Sequence, residues 1–137
     1  MSIEFEGMKE LLEALEKPVS DERINEALAK GCMIIERRAK ELAPKGNGDL
    51  RRSITSKVEN LEGIVYTPLE YAPYVEYGTG LFAEDGGRTD VPWCYQDEKG
   101  DWHTTSGMPP HPYMRPALEQ CREPVKEKMK EVLLKDD

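Results

Sequence analysis

The sequence is poor in several features that common classes of protein require. It contains three cysteines in 137 residues, and no two of them form a CxxC pair. This pattern argues against a disulfide framework and fits a reducing compartment. No apolar run approaches the roughly 20 residues needed to span a bilayer, and no segment resembles a signal peptide. We therefore expect a protein without membrane contact that is made and kept in the cytosol.

Positive charge is also scarce. The chain has 19 lysines and arginines against 27 aspartates and glutamates, which gives a net charge of −8. General affinity for nucleic acid needs clustered cations, so this balance argues against it. Apolar residues make up 38% of the chain, which is low for a domain that must fill its own core. We expect one domain over residues 1–137 and an oligomer in which a partner covers the remaining apolar surface.

The cations are concentrated in one window, residues 37–52, which we call the basic girdle. It holds six basic and two acidic residues, a local charge of +4, so the rest of the chain carries −12, and with Glu36, which directly precedes the window, the charge is +3. Its basic residues are Arg37, Arg38, Lys40, Lys45, Arg51 and Arg52. Such a window suits contact with a like subunit or an acidic partner. It equally suits a solvated helix end whose cations complement the helix dipole.

Hydrophobic periodicity predicts an α+β fold. Two N-terminal helices are expected, a first over residues 3–16 and a long second one over Asp21–Leu42. Alternating segments at 51–59 and 63–69 predict a small antiparallel sheet. A C-terminal helix is predicted to begin near residue 112.

Two residues inside the predicted helices are unusual. Gly31 in the second helix costs roughly 1 kcal/mol relative to alanine, so we expect another element to pack closely against it. Pro124 lies inside the C-terminal helix and is predicted to kink it.

Residues 79–111, which we call the arm, are rich in glycine and proline. Short strands near 91–96 and 101–105 would pair across 97–100 and form a hairpin. A connection this long in a small domain is usually functional or disordered. Trp93 and Trp102 favour a function, because a plain linker has little use for tryptophan.

The segment "YAPYVEYGTG", residues 71–80, carries three tyrosines and two glycines. Tyr71, Tyr74 and Tyr77 recur at intervals of three, which in a helical turn places them on one face. They would either pack the hairpin against the helices or form a subunit contact, where tyrosine is enriched because it buries area and still hydrogen-bonds.

Glu76 stands between these tyrosines in the sequence. A carboxylate flanked by aromatic rings needs a cation or a hydrogen-bond donor, and Arg115 is the expected partner. An exposed glutamate is the alternative interpretation.

Signatures of catalysis are missing. No GxSxG, HExxH or glycine-rich phosphate loop is present, so neither catalysis nor a cofactor is expected. Cys94, His103, His111 and Cys121 are all residue types that bind zinc, but no two of them are close enough in sequence to form a chelating pair. We therefore interpret them as separate polar residues and expect no metal site.

Three segments together resemble a known family. They are "AKELAPKGNGDLRRSI" at 39–54, "YAPYVEYGTG" at 71–80 and "HPYMRPALEQ" at 111–120. These segments look like the signature blocks of a tailed-phage morphogenesis family of head–tail joining, neck and tail-completion proteins. The resemblance covers about residues 3–133. It implies a virion structural protein without catalysis, assembled in the bacterial host cytoplasm into a ring at the head–tail junction, through which DNA passes.

The resemblance also indicates which residues form the subunit contacts. Arg51, Tyr71, Tyr74, Glu76, Gly78, Thr79 and Arg115 match the family blocks by position, and Tyr77, Arg52, Trp93 and Trp102 complete the predicted interface. The expected partners are copies of the chain and the neighbouring neck, head-closure or tail-tube proteins, with no sequence-specific contact to DNA.

Two other functions stay open at this point. One is a small metal-dependent hydrolase that uses His103, His111 and the nearby cysteines. The other is a regulatory adaptor that binds an acidic partner through the basic girdle.

Overall fold

Helix α1 spans Asp21–Leu42 in the computed structural model, the bounds that the sequence predicts. Ser20 caps its start by accepting a 3.3 Å hydrogen bond from the Arg23 backbone N–H, which satisfies one of the unpaired donors at a helix N-terminus. The helix ends after Leu42, because Ala43 has an extended backbone and precedes Pro44.

The structure describes residues 2–4, 19–46, 48–84, 91–97 and 99–135. The chain divides into two compact units. One, the helical unit, comprises Met1–Pro68 with Tyr113–Asp137, and the other, the arm unit, comprises Leu69–Pro112. No helix in the described ranges is both long and apolar enough to cross a bilayer.

The helical unit contains a three-stranded antiparallel sheet. Strands β2 (Thr55–Glu59) and β3 (Glu62–Tyr66) form the predicted hairpin. Asn60 and Leu61 connect them with φ of 51° and 62°, the paired positive values of a two-residue turn that matches the strand twist. Strand β1 (Ser2–Glu4) pairs with the other edge of β3, so the order is β1-β3-β2. The predicted α+β class is confirmed.

The prediction of a first helix beginning at residue 3 is wrong at its start. Ile3 and Glu4 belong to β1, where Ile3 lies opposite Val65. The physical reason is that β3 would otherwise present an unpaired edge, whose backbone groups need partners. Residues 5–16 of that predicted helix lie outside the described residues.

The predicted strand start at Arg51 is also wrong. Residues Asp49–Ser53 form a short helix, α2, which begins after Gly48 at φ 83°. Asp49 lies in its first turn and accepts a 2.6 Å bond from Arg52 Nη2, an ion pair at helical spacing. Buried Leu50 anchors the turn, so local charge pairing and one apolar contact outweigh the alternating pattern.

The C-terminal helix spans Met114–Leu133; we call it α4, since one further helix, α3, precedes it in the arm unit. The helix continues through Pro124 without interruption, and the kink expected there stays a prediction. Helix α1 packs against α4 and against β2 and β3. The buried residues of the two helices form the core of this unit: Ile24, Ala27, Leu28, Gly31, Cys32, Ile35 and Ala39 with Met114, Ala117, Cys121, Val125, Met129, Val132 and Leu133.

Gly31 lies in the contact between α1 and α4, in line with the expectation that another element packs closely against it. A Cβ at this position would lie 3.2 Å from Val125 Cγ1 and 3.3 Å from Met129 Sδ. The close helix packing therefore depends on a position without a side chain.

Cys32, the next residue of α1, is buried as well. Burial raises the pKa of its thiol to about 11, so this thiol stays protonated at neutral pH.

Replacing Gly31 by leucine should lower the free energy of unfolding by about 1–3 kcal/mol, because the added side chain overpacks the contact with α4. Chemical denaturation followed by circular dichroism measures this. Asn25→Leu is the matched control, since it adds the same side chain to an exposed position of α1 and should change stability by less than about 0.5 kcal/mol. Equal effects of the two substitutions would contradict the packing role of Gly31.

Candidate subunit interface

The tyrosine-rich segment forms a short helix, α3, over Ala72–Tyr77. Pro73 occupies its second position, where the fixed φ of proline is tolerated. The helix ends at Gly78, which adopts φ 82° and donates its backbone N–H to the Tyr74 carbonyl at 2.9 Å. The segment is therefore helical, the conformation in which the spacing of the tyrosines places them on one face.

Helix α3 has two opposite faces. At about 100° per residue, Tyr71, Tyr74 and Tyr77 fall on one side, and these rings are 38–58% exposed. Ala72 and Glu76 fall on the opposite side and are fully buried. The packing of the protomer therefore uses the face with Ala72 and Glu76, and presents the tyrosines to solvent.

Glu76 is not flanked by the tyrosines, although it stands between them in the sequence. It lies on the buried face of α3. A carboxylate with no exposed area is stable only when it is paired or hydrogen-bonded, so its surroundings help to set the rotation of α3. The pairing of Glu76 with Arg115 stays a prediction, as does a role for either residue between subunits.

The glycines after α3 lie at a crossing of two backbone segments, residues 78–80 and 106–111, which we call the clasp. Thr79 donates its N–H to the Met108 carbonyl, and the Met108 N–H donates to Thr79 Oγ1, both at 2.9 Å. A third bond of 2.8 Å joins the His111 N–H to the Val75 carbonyl. These bonds close the base of the arm on the end of α3.

Gly80 and Gly107 make this crossing possible. A Cβ on Gly80 would overlap the Ser106 carbonyl oxygen, and one on Gly107 would overlap the Thr79 carbonyl oxygen. Both residues also have positive φ, 62° and 119°, which residues with side chains rarely adopt. Gly80 belongs to the glycine-containing segment 71–80 that is conspicuous in the sequence, whereas Gly107 was not predicted, because its distance from Gly80 along the chain leaves no local signal.

Beyond the clasp, the predicted hairpin is present. Strands β4 (Trp93–Gln96) and β5 (Trp102–Thr105) pair antiparallel, with Tyr95 opposite His103 and Gln96 opposite Trp102. Opposite residues share a face, so Trp102 and Gln96 lie on one side and Tyr95 and His103 on the other. Trp102 is 70% exposed.

The turn of the hairpin is organised by Asp97. Its Oδ1 accepts from the Lys99 and Asp101 backbone N–H groups, each at 2.9 Å. Its Oδ2 lies 2.7 Å from His103 Nε2, and the His103 ring stacks on Tyr95 with centroids 5.3 Å apart. The hydrogen bond from His103, followed by those from the backbone, holds the pKa of the Asp97 carboxyl below its ordinary value of 3.8.

The four residues considered for zinc are not assembled into one group. Cys94 lies opposite Thr104, on the face of the hairpin away from His103. Cys121 is buried in the helical unit, and burial raises the pKa of its thiol, which disfavours the thiolate that zinc requires. No group of three or more potential metal ligands occurs within the described part of the chain.

Half of the cations in the basic girdle are paired with nearby acids. Arg38 pairs with Glu41 at 2.8 Å, Lys40 with Glu36 at 3.8 Å and Arg52 with Asp49 at 2.6 Å. These three ion pairs use both acids of the girdle and Glu36, which directly precedes it. The remaining charge of +3 belongs to the other cations, Arg37, Lys45 and Arg51.

Those three cations have no ion-pair partner among the described residues. Arg37 and Lys45 are exposed and form no ion pair there. The Nε of Arg51 is buried, and it has no hydrogen-bond partner in the described ranges. Within those ranges, the girdle therefore keeps positive charge that no acid neutralises.

Exposed apolar side chains are concentrated in the arm unit. Ten large apolar side chains are exposed among the described residues, and seven belong to this unit: Tyr71, Tyr74, Tyr77, Phe82, Tyr95, Trp102 and Met108. Of the predicted interface residues, Gly78 and Thr79 lie in the clasp, Trp93 in β4, and Arg51, Arg52 and Arg115 in the helical unit. Phe82, Tyr95 and Met108 are exposed as well, but they are not among the predicted interface residues. As subunit contacts, all of these residues stay predictions.

Comparison with known proteins gives one family. A family model described as "Bacteriophage HK97-gp10, putative tail-component" matches residues 6–78, which include α1, α2, β2, β3 and α3. The match contains the first block of the resemblance and residues 71–78 of the second, and it ends at the clasp, whereas the β4–β5 hairpin and α4 lie beyond it. Neither the curated proteins nor the solved structures contain a significant match to the chain.

Gly80→Ala should open the clasp, since its methyl group would overlap the Ser106 carbonyl. We expect amide hydrogen exchange at Thr79 and Met108 to accelerate by at least about tenfold, which corresponds to about 1.4 kcal/mol. Gly100→Ala is the matched control. It carries a similar positive φ of 87°, but its Cβ would meet only the Gln96 side chain at 3.5 Å. Unchanged exchange at the clasp in Gly80→Ala would contradict this role.

The turn of the hairpin should loosen in acid. Because the folded pKa of Asp97 is lowered, its contribution is fully present above the ordinary value of 3.8 and is lost as pH falls through the lowered folded pKa. Carboxyl carbon NMR should show a titration midpoint below 3.8. His103→Phe keeps a ring beside Tyr95 but removes the hydrogen bond, so the midpoint should rise. An unchanged midpoint would show that His103 is not the cause.

Proposed function

The chain belongs to the HK97-gp10-like family of bacteriophage tail components, and on this premise we propose that it is a structural virion subunit that forms a ring between head and tail. In this proposal it acts as a head–tail connector in the neck or as a tail-completion subunit. It carries out no catalysis. Its neighbours in the virion are neck, head-closure or tail-tube proteins.

The exposed tyrosine face of α3 is the observation that carries the proposal. Helix α3 carries three tyrosines on one face and a fully buried glutamate on the opposite face. Packing within the protomer therefore fixes the rotation of α3 about its own axis. Tyrosine is enriched at the centres of protein interfaces because its ring buries a large area and its hydroxyl still hydrogen-bonds. The seven exposed apolar side chains in this one unit of 44 residues support a contact region there.

A ring follows from a contact between two different surfaces of the same chain. Such a heterologous contact repeats from copy to copy and closes on itself when the rotation allows it. The chain has only 38% apolar residues, so burying the tyrosine face on a neighbour would add stability that the protomer lacks. The contact would thus link assembly to protomer stability.

The charge of the chain suits a passage for DNA. With a net charge of −8, the ring as a whole repels the phosphate backbone. DNA would therefore move through the channel without binding tightly to its wall. This supports a position on the path of DNA between capsid and tail.

Tyr74→Ala should weaken assembly by at least about tenfold in the apparent dissociation constant while leaving the unfolding midpoint of the protomer nearly unchanged. Sedimentation velocity and negative-stain images, recorded alone and with the phage neck or tail-tube proteins, measure this. Met33→Ala is the control, since Met33 is equally exposed but lies on α1 of the helical unit. It should have no effect on assembly.

Monomer under every condition, with the neighbouring phage proteins as well as without them, would refute the ring. Equal loss of folding and assembly in Tyr74→Ala would place the tyrosine in the core of the protomer. Glu76 is unsuitable for this test, because its full burial means that its removal affects folding directly.

A further inference from the structure

We propose, building on the ring function above, that the β4–β5 hairpin of one copy docks on the basic girdle of the next copy. The acidic turn, residues 97–101, and the adjacent Trp102 supply one surface. Arg37, Lys45 and Arg51 supply the other. This contact is distinct from the tyrosine face of α3 and assigns a partner to the arm.

The hairpin has the properties of an element that is completed by a partner. A two-stranded hairpin is only marginally stable in water by itself. Here Trp102 is 70% exposed on one face, and Tyr95 is exposed on the other. Large aromatic side chains on both faces of a two-stranded element leave apolar area that neither strand covers.

The tip of the hairpin is negatively charged. The turn contains Asp97, Glu98, Lys99 and Asp101, a net charge of −2, and the whole arm carries six acids against two bases, a net charge of −4. Asp101 is exposed and directly precedes Trp102. The tip therefore carries exposed carboxylate charge next to the strand that presents an exposed tryptophan.

The girdle carries positive charge that complements the acidic turn. Its own two acids and the preceding Glu36 are already paired with Arg38, Arg52 and Lys40. Arg51 Nε is buried without a hydrogen-bond partner in the described residues, an arrangement that costs free energy until an acceptor is supplied. The guanidinium of arginine binds carboxylates with two parallel hydrogen bonds and stacks on aromatic faces. An acidic turn beside a tryptophan offers both interactions.

A second copy of the chain fits better than DNA as the occupant. Duplex DNA would match the charge of the girdle, but the net charge of −8 opposes its approach, and it would leave the aromatic hairpin uncovered. Each copy has one β4–β5 hairpin and one girdle. A head-to-tail contact between copies therefore satisfies both surfaces in every subunit of a ring.

Charge reversal tests the contact. Arg37→Glu with Lys45→Glu changes the charge of the girdle together with Glu36 from +3 to −1, and Glu98→Lys with Asp101→Lys changes the turn from −2 to +2. Each double variant alone should raise the apparent dissociation constant of assembly by at least about tenfold, because like charges then face each other. An equimolar mixture of the two should recover association to within about threefold of wild type.

Recovery in the mixture identifies a contact between copies, because a contact within one chain cannot be repaired by a second variant. Lys126→Glu with Lys130→Glu is the matched control, since it makes the same charge change at exposed positions of α4 and should assemble as wild type. A mixture no better than its components overturns the proposal. If Tyr74→Ala still disrupts a ring that neither charge variant disturbs, the ring function stands and only this contact is wrong.

A second measurement does not depend on stable assembly. A zero-length carbodiimide reagent joins a lysine amine to a neighbouring carboxylate, so it should link Lys45 to an acid of the turn. In an equal mixture of ¹⁴N and ¹⁵N protein, about half of these links should carry both isotopes. Links with one isotope only, or no such link, would overturn the proposal. So would girdle variants that assemble normally but lose binding to a short duplex DNA.

Discussion

Two backbone segments cross at Gly80 and Gly107 with no side chain between them, and the geometry of the arm unit depends on this crossing. On one side of the crossing, Gly78 ends α3, the helix that carries the tyrosine face. On the other side, the crossing holds the base of the hairpin that carries Trp102. Hydrogen bonds between the main chains of Thr79 and Met108 and of Val75 and His111 close it. Because these interactions involve mostly the backbone, the exposed aromatic residues are not needed to maintain it.

Part of the charge of the chain is used by local structure. At the girdle, ion pairs three or four residues apart neutralise the acids along α1 and α2, and within the hairpin Asp97 is used by its own turn and by His103. The charge that remains is positive at the girdle and negative at the turn of the hairpin. Exposed pairs of this kind add little stability by themselves, so their main effect is on the pattern of charge at the surface.

Much of the fold could be predicted because its signals are local. The bounds of α1 follow from the cap at Ser20, the apolar stripe and Pro44, which act within a few residues. The hairpins follow from alternation and turn residues. The errors occur where a distant contact outweighs a local pattern: Ile3 pairs with Val65 on the edge of β3, and Leu50 anchors a helical turn in a segment that alternates like a strand.

By itself the sequence determined the class of fold, the long helix, both hairpins and the helical spacing of the three tyrosines, because each depends on periodicity or on neighbouring residues. Only the tertiary structure decided that Glu76 faces inward while the tyrosines face solvent. A helix of six residues with polar and apolar groups on both sides does not specify its own rotation. Only the tertiary structure, likewise, brought Gly107 against Gly80, since close approach of distant backbones leaves no periodic trace in the chain.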